Sequence, residues 1–227
     1  MTNSLGTFFW LSFIFIFIKT KVTLPYYADI LFLLLIMLFM YFINVNIMYE
    51  NCGAVNTWSV ITSTIFPWTF IFGIMMVGLN VFPAWKTPFS NTFGLLIARF
   101  AGCNTAFLQM LKPQTDVSSK LQYVYQDPSL LVNRFTVKNF DETIQTINEI
   151  MVGTTLVEEF KKYIVLKELI SEWIWYLLTA SIVISISYNS IMSGNCTKTK
   201  AQYVDKHNLA MAETADDSEP TVYTVTE

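Results

Sequence analysis

The chain has 227 residues, 53% hydrophobic and only 14% charged, with a formal net charge of −3. A typical soluble domain carries about 25% charged residues, so this composition argues against a purely soluble chain. The missing charge is absent in blocks: residues 30–48 and 51–85 contain no Asp, Glu, Lys or Arg. Such blocks match the ~20 residues that cross a bilayer. The sequence reads as a membrane protein, and no basic stripe interleaved with aromatics points to nucleic acid.

Four apolar segments follow in chain order. Residues 5–18 hold Phe8, Phe9, Trp10, Phe13, Phe15 and Phe17 and are short for a full span. No Lys or Arg precedes them and bulky aromatics fill the run, so a cleaved signal peptide does not fit. They read as a retained helix or as an interfacial segment, which makes three to four spans. Residues 29–48 form a clearer span, with Asn44 and Asn46 placed to hydrogen-bond inside a helix cluster or at the interface. Residues 58–83 contain Pro67, which frees a backbone carbonyl and kinks a helix. Gly73 and Gly78 are five apart and read as close-packing sites rather than a GxxxG motif. Residues 173–192 begin with Trp173 and Trp175, aromatic anchors at headgroup level.

Basic residues set the orientation. The first loop has Lys19 and Lys21, and the loop between the second and third spans has none. Residues 86–172 carry Lys86, Arg99, Lys112, Lys120, Arg134, Lys138, Lys161, Lys162 and Lys167, and the tail carries Lys198, Lys200 and Lys206. This asymmetry favours a cytosolic first loop and a cytosolic 86–172 segment.

That segment is the part large enough to fold outside the bilayer. Leu95, Leu96, Ile97, Phe100, Phe107, Leu108 and Leu111, with Arg99 and Lys112 among them, suit a helix lying in the membrane interface. Residues 121–125 alternate as a strand does, Asp127-Pro128 marks a turn, and residues 130–137 offer a partner strand. Asn139 or Asp141 can cap a helix with Phe140, Ile144, Ile147 and Met151 on one face. Thr155-x-x-Glu158 is a capping box for a further helix, in which Glu158 and Lys162 have ion-pair spacing and which can continue into the last span. The expected fold class is mostly α: a multi-span helical membrane protein with a small α+β extramembrane module and an extended C-terminal tail. Its regions are residues 1–85, the module 86–172, the span 173–192 and the arm 193–227.

Catalytic constellations are not visible. The single histidine, His207, lies in the polar tail, away from any nucleophile. There is no Walker loop, GxGxxG or HExxH pattern. Asp141-Glu142 and Glu158-Glu159 are adjacent on helices, about 100° apart, and read as solvated faces. Cys52, Cys103 and Cys196 are odd in number and far apart, so neither a zinc site nor a disulfide framework can be read from them. Asn195-Cys196-Thr197 matches a glycosylation sequon but lies close to the last span. The expectation is no enzyme, no cofactor and no metal.

The distinctive string is NVFPAWKTPFSNTFG, residues 80–94. Pro83 and Pro88 stop the third span and start the next segment. Phe82, Trp85, Phe89 and Phe93 can anchor at the interface while Lys86 snorkels outward. Ser90, Asn91 and Thr92 can cap a following helix that contains Gly94. With Trp173 and Trp175, these residues form the expected membrane-interface anchor motif.

The string resembles the FPxWxxPFSNTFG element of membrane or minor capsid proteins of large icosahedral DNA viruses that infect algae. The likeness covers roughly the third span and the segment after it. In such virions an internal membrane lies beneath the capsid shell, and membrane-anchored minor capsid proteins tie the two together. The resemblance implies a structural virion protein whose partners are the lipid bilayer and the major and minor capsid proteins. It implies residence in the internal virion membrane, and in a host membrane during assembly. The tail would serve as a peptide arm, with residues 221–225 able to add to a sheet edge. The alternative is a pore-forming or host-membrane-remodelling protein of viral entry or egress, self-associating through Gly73 and Gly78.

Overall fold

An unpaired backbone N–H or C=O in hydrocarbon costs several kcal/mol, so apolar segments of this length are driven to helix. The computed structural model describes residues 2–25, 27–112, 122–152 and 156–194. Within them the first two segments are α1 (Thr2–Lys21) and α2 (Tyr27–Cys52). The third is α3 (Thr57–Pro67), a π-helical stretch Trp68–Gly73 and α4 (Ile74–Val81), running on as one rod. A 3₁₀ turn, Pro83–Lys86, leads to α5 (Thr87–Phe89) and a second π-helical stretch, Ser90–Gly94. The module continues with α6 (Leu95–Phe100), α7 (Cys103–Met110), α8 (Gln122–Gln126), α9 (Ser129–Val132) and α10 (Phe140–Ile147). The last element, α11, is a single helix of 37 residues, Val157–Ser193.

Among the described residues, four helices are long and apolar enough to cross a membrane. The first segment is thus a full helix of 20 residues rather than the short run its composition suggested. The four alternate in direction, so the C-terminal end of α1, the start of α2, the end of α4 and the middle of α11 meet at one end of the bundle. Phe8, Phe32, Ile36, Met40, Trp68, Phe72, Tyr176 and Val183 fill its core. Leu31, Phe66 and Ile74 point outward at 65%, 63% and 62% exposure, as lipid-facing side chains do.

Polar groups inside the bundle cross-link helices, as the sequence suggested for Asn44. Its amide donates to the Thr64 hydroxyl at 2.8 Å, and Ser63 and Ser190 share a hydrogen bond of 2.8 Å. Pro67 has no N–H for the carbonyl four residues back, and the π-helical stretch that follows absorbs the mismatch without ending the rod. Gly73 packs against Leu33, and Gly78 lies under the indole of Trp85. Both glycines are therefore covered from within the chain.

The module differs from expectation in its secondary structure. Residues 122–126 and 129–132 are helical, not paired strands. The one extended pairing among the described residues is an antiparallel bridge between Leu111 and Met151. The alternation at 121–125 was too short to require a strand: one turn of helix places Val124 in the core and leaves Tyr123 in solvent. The Asp127-Pro128 turn is present, its carboxylate accepting the Ser129 N–H at 3.1 Å. The expected 95–111 helix is broken at Gly102, whose φ of +107° suits a residue without a side chain. Its C-terminal half turns inward, burying Cys103, Phe107 and Met110, whereas Phe93, Leu96, Ile97 and Phe100 stay exposed as an apolar stripe. Phe107, Phe135, Phe140 and Phe160 form the centre of the module. Thr155 and the arm from residue 195 onward, including Cys196 and His207, lie outside the described residues.

Asn139 precedes α10 as expected, but its side chain caps the preceding loop, accepting the Thr136 N–H at 2.7 Å. Glu158 and Lys162 do not pair; Lys161 reaches Asp141 at 3.2 Å instead. As predicted, α11 runs unbroken from the module into the bundle. At 1.5 Å per residue it spans roughly 55 Å, nearly twice a hydrocarbon core of about 30 Å, and so belongs to both cores.

Candidate functional site

Lys19 of α1, Asp29 of α2, Lys86 of the turn after α4 and Glu172 of α11 lie near the same end of the bundle, and the fold brings these residues together. Glu172 on α11 is 3% exposed. It accepts Lys19 of α1 at 2.6 Å, Lys86 of the 3₁₀ turn at 2.8 Å, and the hydroxyl of Tyr176, one turn along its own helix, at 2.8 Å. Lys19 also reaches Asp29 of α2 at 2.9 Å. Two lysines thus balance two carboxylates, and all four transmembrane-length rods are tied at one level. A buried carboxylate is tolerated when its charge is paired and its lone pairs are used, and both conditions hold at Glu172.

The 80–94 string is wrapped around this cluster. Lys86 does not snorkel outward: its side chain, 13% exposed, turns in to Glu172. The reason is that the exposed end of the rod already has a buried counter-charge within reach. The Lys86 carbonyl accepts the Ser171 hydroxyl, and the Trp85 carbonyl accepts the Trp175 indole N–H at 2.9 Å. Phe82 stacks on Trp85 at 5.4 Å, and Phe89 meets Trp175 edge-on at 5.1 Å. Phe82, Trp85 and Phe93 keep exposed faces, in keeping with an interface anchor. Pro83 opens the 3₁₀ turn and Pro88 sits early in α5. Trp173 donates to Ser12 at 3.0 Å and packs between Phe9 and Phe13 of α1.

The expected caps at 90–92 are absent. Ser90 is buried, Thr92 bonds back to the Pro88 carbonyl at 2.7 Å, and Asn91 instead accepts Lys167 at 3.1 Å. Lys167 is fully buried and also donates to the Val132 carbonyl at 3.1 Å, linking α11, α9 and the second π-helical stretch. Gly94 lies directly against the Lys167 carbonyl. Beside Gly94 the string runs along α11 with no room for a side chain.

Cys103 is a free, buried thiol in the module, and burial pushes its pKa from 9.0 up to about 11. At pH 8 this cuts the thiolate fraction roughly 100-fold relative to an ordinary thiol. Native Cys103 should accordingly be alkylated by iodoacetamide at least ~100-fold more slowly than in the unfolded chain, as read by mass spectrometry. Equal rates would mean that the module core is open. The folded state holds this proton more tightly, so the stability it confers is complete below pH 9 and is lost as pH rises toward about 11. Cys52, at the opposite end of the bundle, is disulfide-bonded, which the spacing of the cysteines did not reveal.

No group of three or more His, Cys, Asp or Glu side chains positioned for a metal occurs among the described residues. The geometry defines a helical bundle of transmembrane length, charge-locked at one end to a small helical module. Comparison with protein-family models, curated protein sequences and solved structures gives no match.

Proposed function

We propose that this chain is a structural virion protein, a minor capsid component that anchors the shell to an internal lipid membrane. The observation that carries the reading is mechanical. The unbroken α11 enters both the bundle and module cores, and the Glu172 lock holds α1, α2 and the turn after α4 against it. A tether between a bilayer and a protein shell needs this kind of stiff coupling, because a flexible joint would leave the module's position undefined. The module presents its surface to capsid proteins, whereas α11 ends at the opposite end of the bundle, where Ile191 packs with Met48 and Cys52. The resemblance of the 80–94 string supports the same role.

The membrane-spanning reading is supported by the four apolar helices and their outward-facing side chains. The module lies on the cytosolic face, in line with the basic residues around it. The disulfide at Cys52 supports this orientation, since disulfides persist in oxidising compartments. Cys52 should therefore resist a maleimide in denatured, unreduced protein and react after reduction. Labelling without reduction would remove that support.

Quantitative mass spectrometry of purified particles, before and after mild detergent extraction, tests the role itself. The expected result is abundant chain retained with the shell after lipid is removed. Depletion from particles would overturn the anchor and favour the pore-forming or host-remodelling alternative. Self-association of that kind could not use Gly73 or Gly78 without displacing Leu33 or Trp85.

A further inference from the structure

Between α1 and α11 lies a groove with two chemically different ends. One end, about 320 Å³, is lined by basic side chains including Lys21 and Lys162. The other, about 360 Å³, is apolar and lined by Phe13, Phe17, Ile170 and Trp173. Lys21 and Lys162 border both parts, so they form one continuous depression.

The charges at the basic end are not equivalent. Lys19 is held by Asp29 and Glu172, and Lys161 by Asp141. Lys21 and Lys162 are exposed and make no ion pair among the described residues; Lys21 lies over the Phe17 ring, 5.7 Å from its centroid. Glu158 also lines this end. Two unpaired lysines against one carboxylate leave a single positive charge, the complement of one phosphodiester.

The order along the groove is that of a lipid in a leaflet. Along α1, Phe13 is roughly 12 Å from Lys21, and along α11 Trp173 is roughly 16 Å from Lys162, at 1.5 Å per residue. The apolar end lies toward the bundle and the basic end toward the module. Trp173 is a fixed wall, since its indole N–H is bonded to Ser12 at 3.0 Å. Phe13 and Phe17 offer faces 41% and 55% exposed.

We propose that this groove binds an anionic glycerophospholipid, with its phosphodiester at Lys21 and Lys162 and one acyl chain along Phe13, Phe17, Ile170 and Trp173. The site rests on the membrane-spanning reading of the bundle and is independent of a virion role. Lipid held here packs between α1 and α11 at the level of the Glu172 lock and makes the bundle responsive to the composition of the surrounding leaflet.

The test uses the full chain, purified in detergent and incubated with equal amounts of phosphatidylglycerol and phosphatidylcholine bearing the same acyl chains. Bound lipid is counted by mass spectrometry after gel filtration. Wild type should retain phosphatidylglycerol preferentially, and the preference should fall as salt is raised. Lys21→Gln with Lys162→Gln should weaken that retention by roughly fivefold per lysine, the factor equivalent to about 1 kcal/mol for each basic residue at an anionic surface. Glu158→Gln should strengthen it, a gain that a misfolded variant cannot give. Phe13→Ala with Phe17→Ala should lower retention of both lipids alike. Equal retention of the two lipids by wild type, or no response to either charge change, would overturn the proposal. Carbonate extraction of membranes containing the wild-type chain reports separately on insertion, so failure of the spanning reading is distinguishable from failure of the lipid site.

Discussion

Alanine in place of Glu172 should destabilise the folded chain by roughly 3–5 kcal/mol, the cost of stripping a buried ion pair of one partner. The loss is asymmetric. Lys19 keeps Asp29 at 2.9 Å, whereas Lys86 has no other ion-pair partner among the described residues and the Tyr176 hydroxyl loses its acceptor. Most of the penalty should therefore come from the largely covered Lys86 ammonium, 13% exposed, and removing it should recover part of the loss. The double variant Glu172→Ala/Lys86→Met should be more stable than Glu172→Ala alone, in a double-mutant cycle measured by denaturant or thermal unfolding in detergent. Asp141→Ala is the internal control. Its pair with Lys161 lies at the surface, with the Asp141 side chain 80% exposed, and exposed pairs contribute about 0–1 kcal/mol. A Glu172→Ala variant no less stable than Asp141→Ala would mean that the cluster does not hold the bundle together.

That cluster shows where sequence reasoning reached and where it stopped. The helices were legible because uncharged runs of this length have few alternatives in a bilayer, and Asn44 was recognisable as a group that hydrogen-bonds inside a helix cluster. The passage of α11 from module to bundle was also readable, as the continuation into the last span of the helix that starts near Glu158. Lys19, Asp29, Lys86 and Glu172 were visible only as boundary charges, although their position at the same end of alternating helices was itself a signal. An up-and-down order puts all four at one level, and the two signs cancel. What no local pattern could supply was the direction of the Lys86 side chain. A lysine at the end of a span snorkels when water is the best environment within reach, and here a buried carboxylate 86 residues later in the chain is better. The module was misread for a related reason. Residues 121–125 alternate in polarity over so few positions that strand and single-turn helix bury the same side chain, and only the Phe107, Phe135 and Phe160 core decides between them.

Gly94 separates two explanations for a glycine in the 80–94 string. Its neighbour Gly102 needs a positive φ, but Gly94 has helical backbone angles, φ −61° and ψ −47°, which any residue adopts. On conformational grounds alone, Gly94→Ala should stabilise the chain by up to ~1 kcal/mol, the helix-propensity difference between the two residues. Space reverses the sign. A Cβ at this position collides with the backbone carbonyl of Lys167, and neither backbone is the end of a flexible side chain that can swing aside. Gly94→Ala should therefore destabilise by about 1–3 kcal/mol or more, the usual cost of overpacking. By pushing the string off α11 it should also lengthen the Asn91–Lys167 hydrogen bond, now 3.1 Å. Gly73→Ala is the matched comparison: its Cβ would meet the Leu33 side chain at 3.4 Å and the Trp68 carbonyl at 3.6 Å, both ordinary contact distances, and the change should be neutral or mildly stabilising. Unfolding midpoints of the two variants in the same detergent decide the matter. If Gly94→Ala gained stability as Gly73→Ala is expected to, the string would not lie against α11 at this distance, and the coupling between the anchor motif and the rigid helix would have to be abandoned.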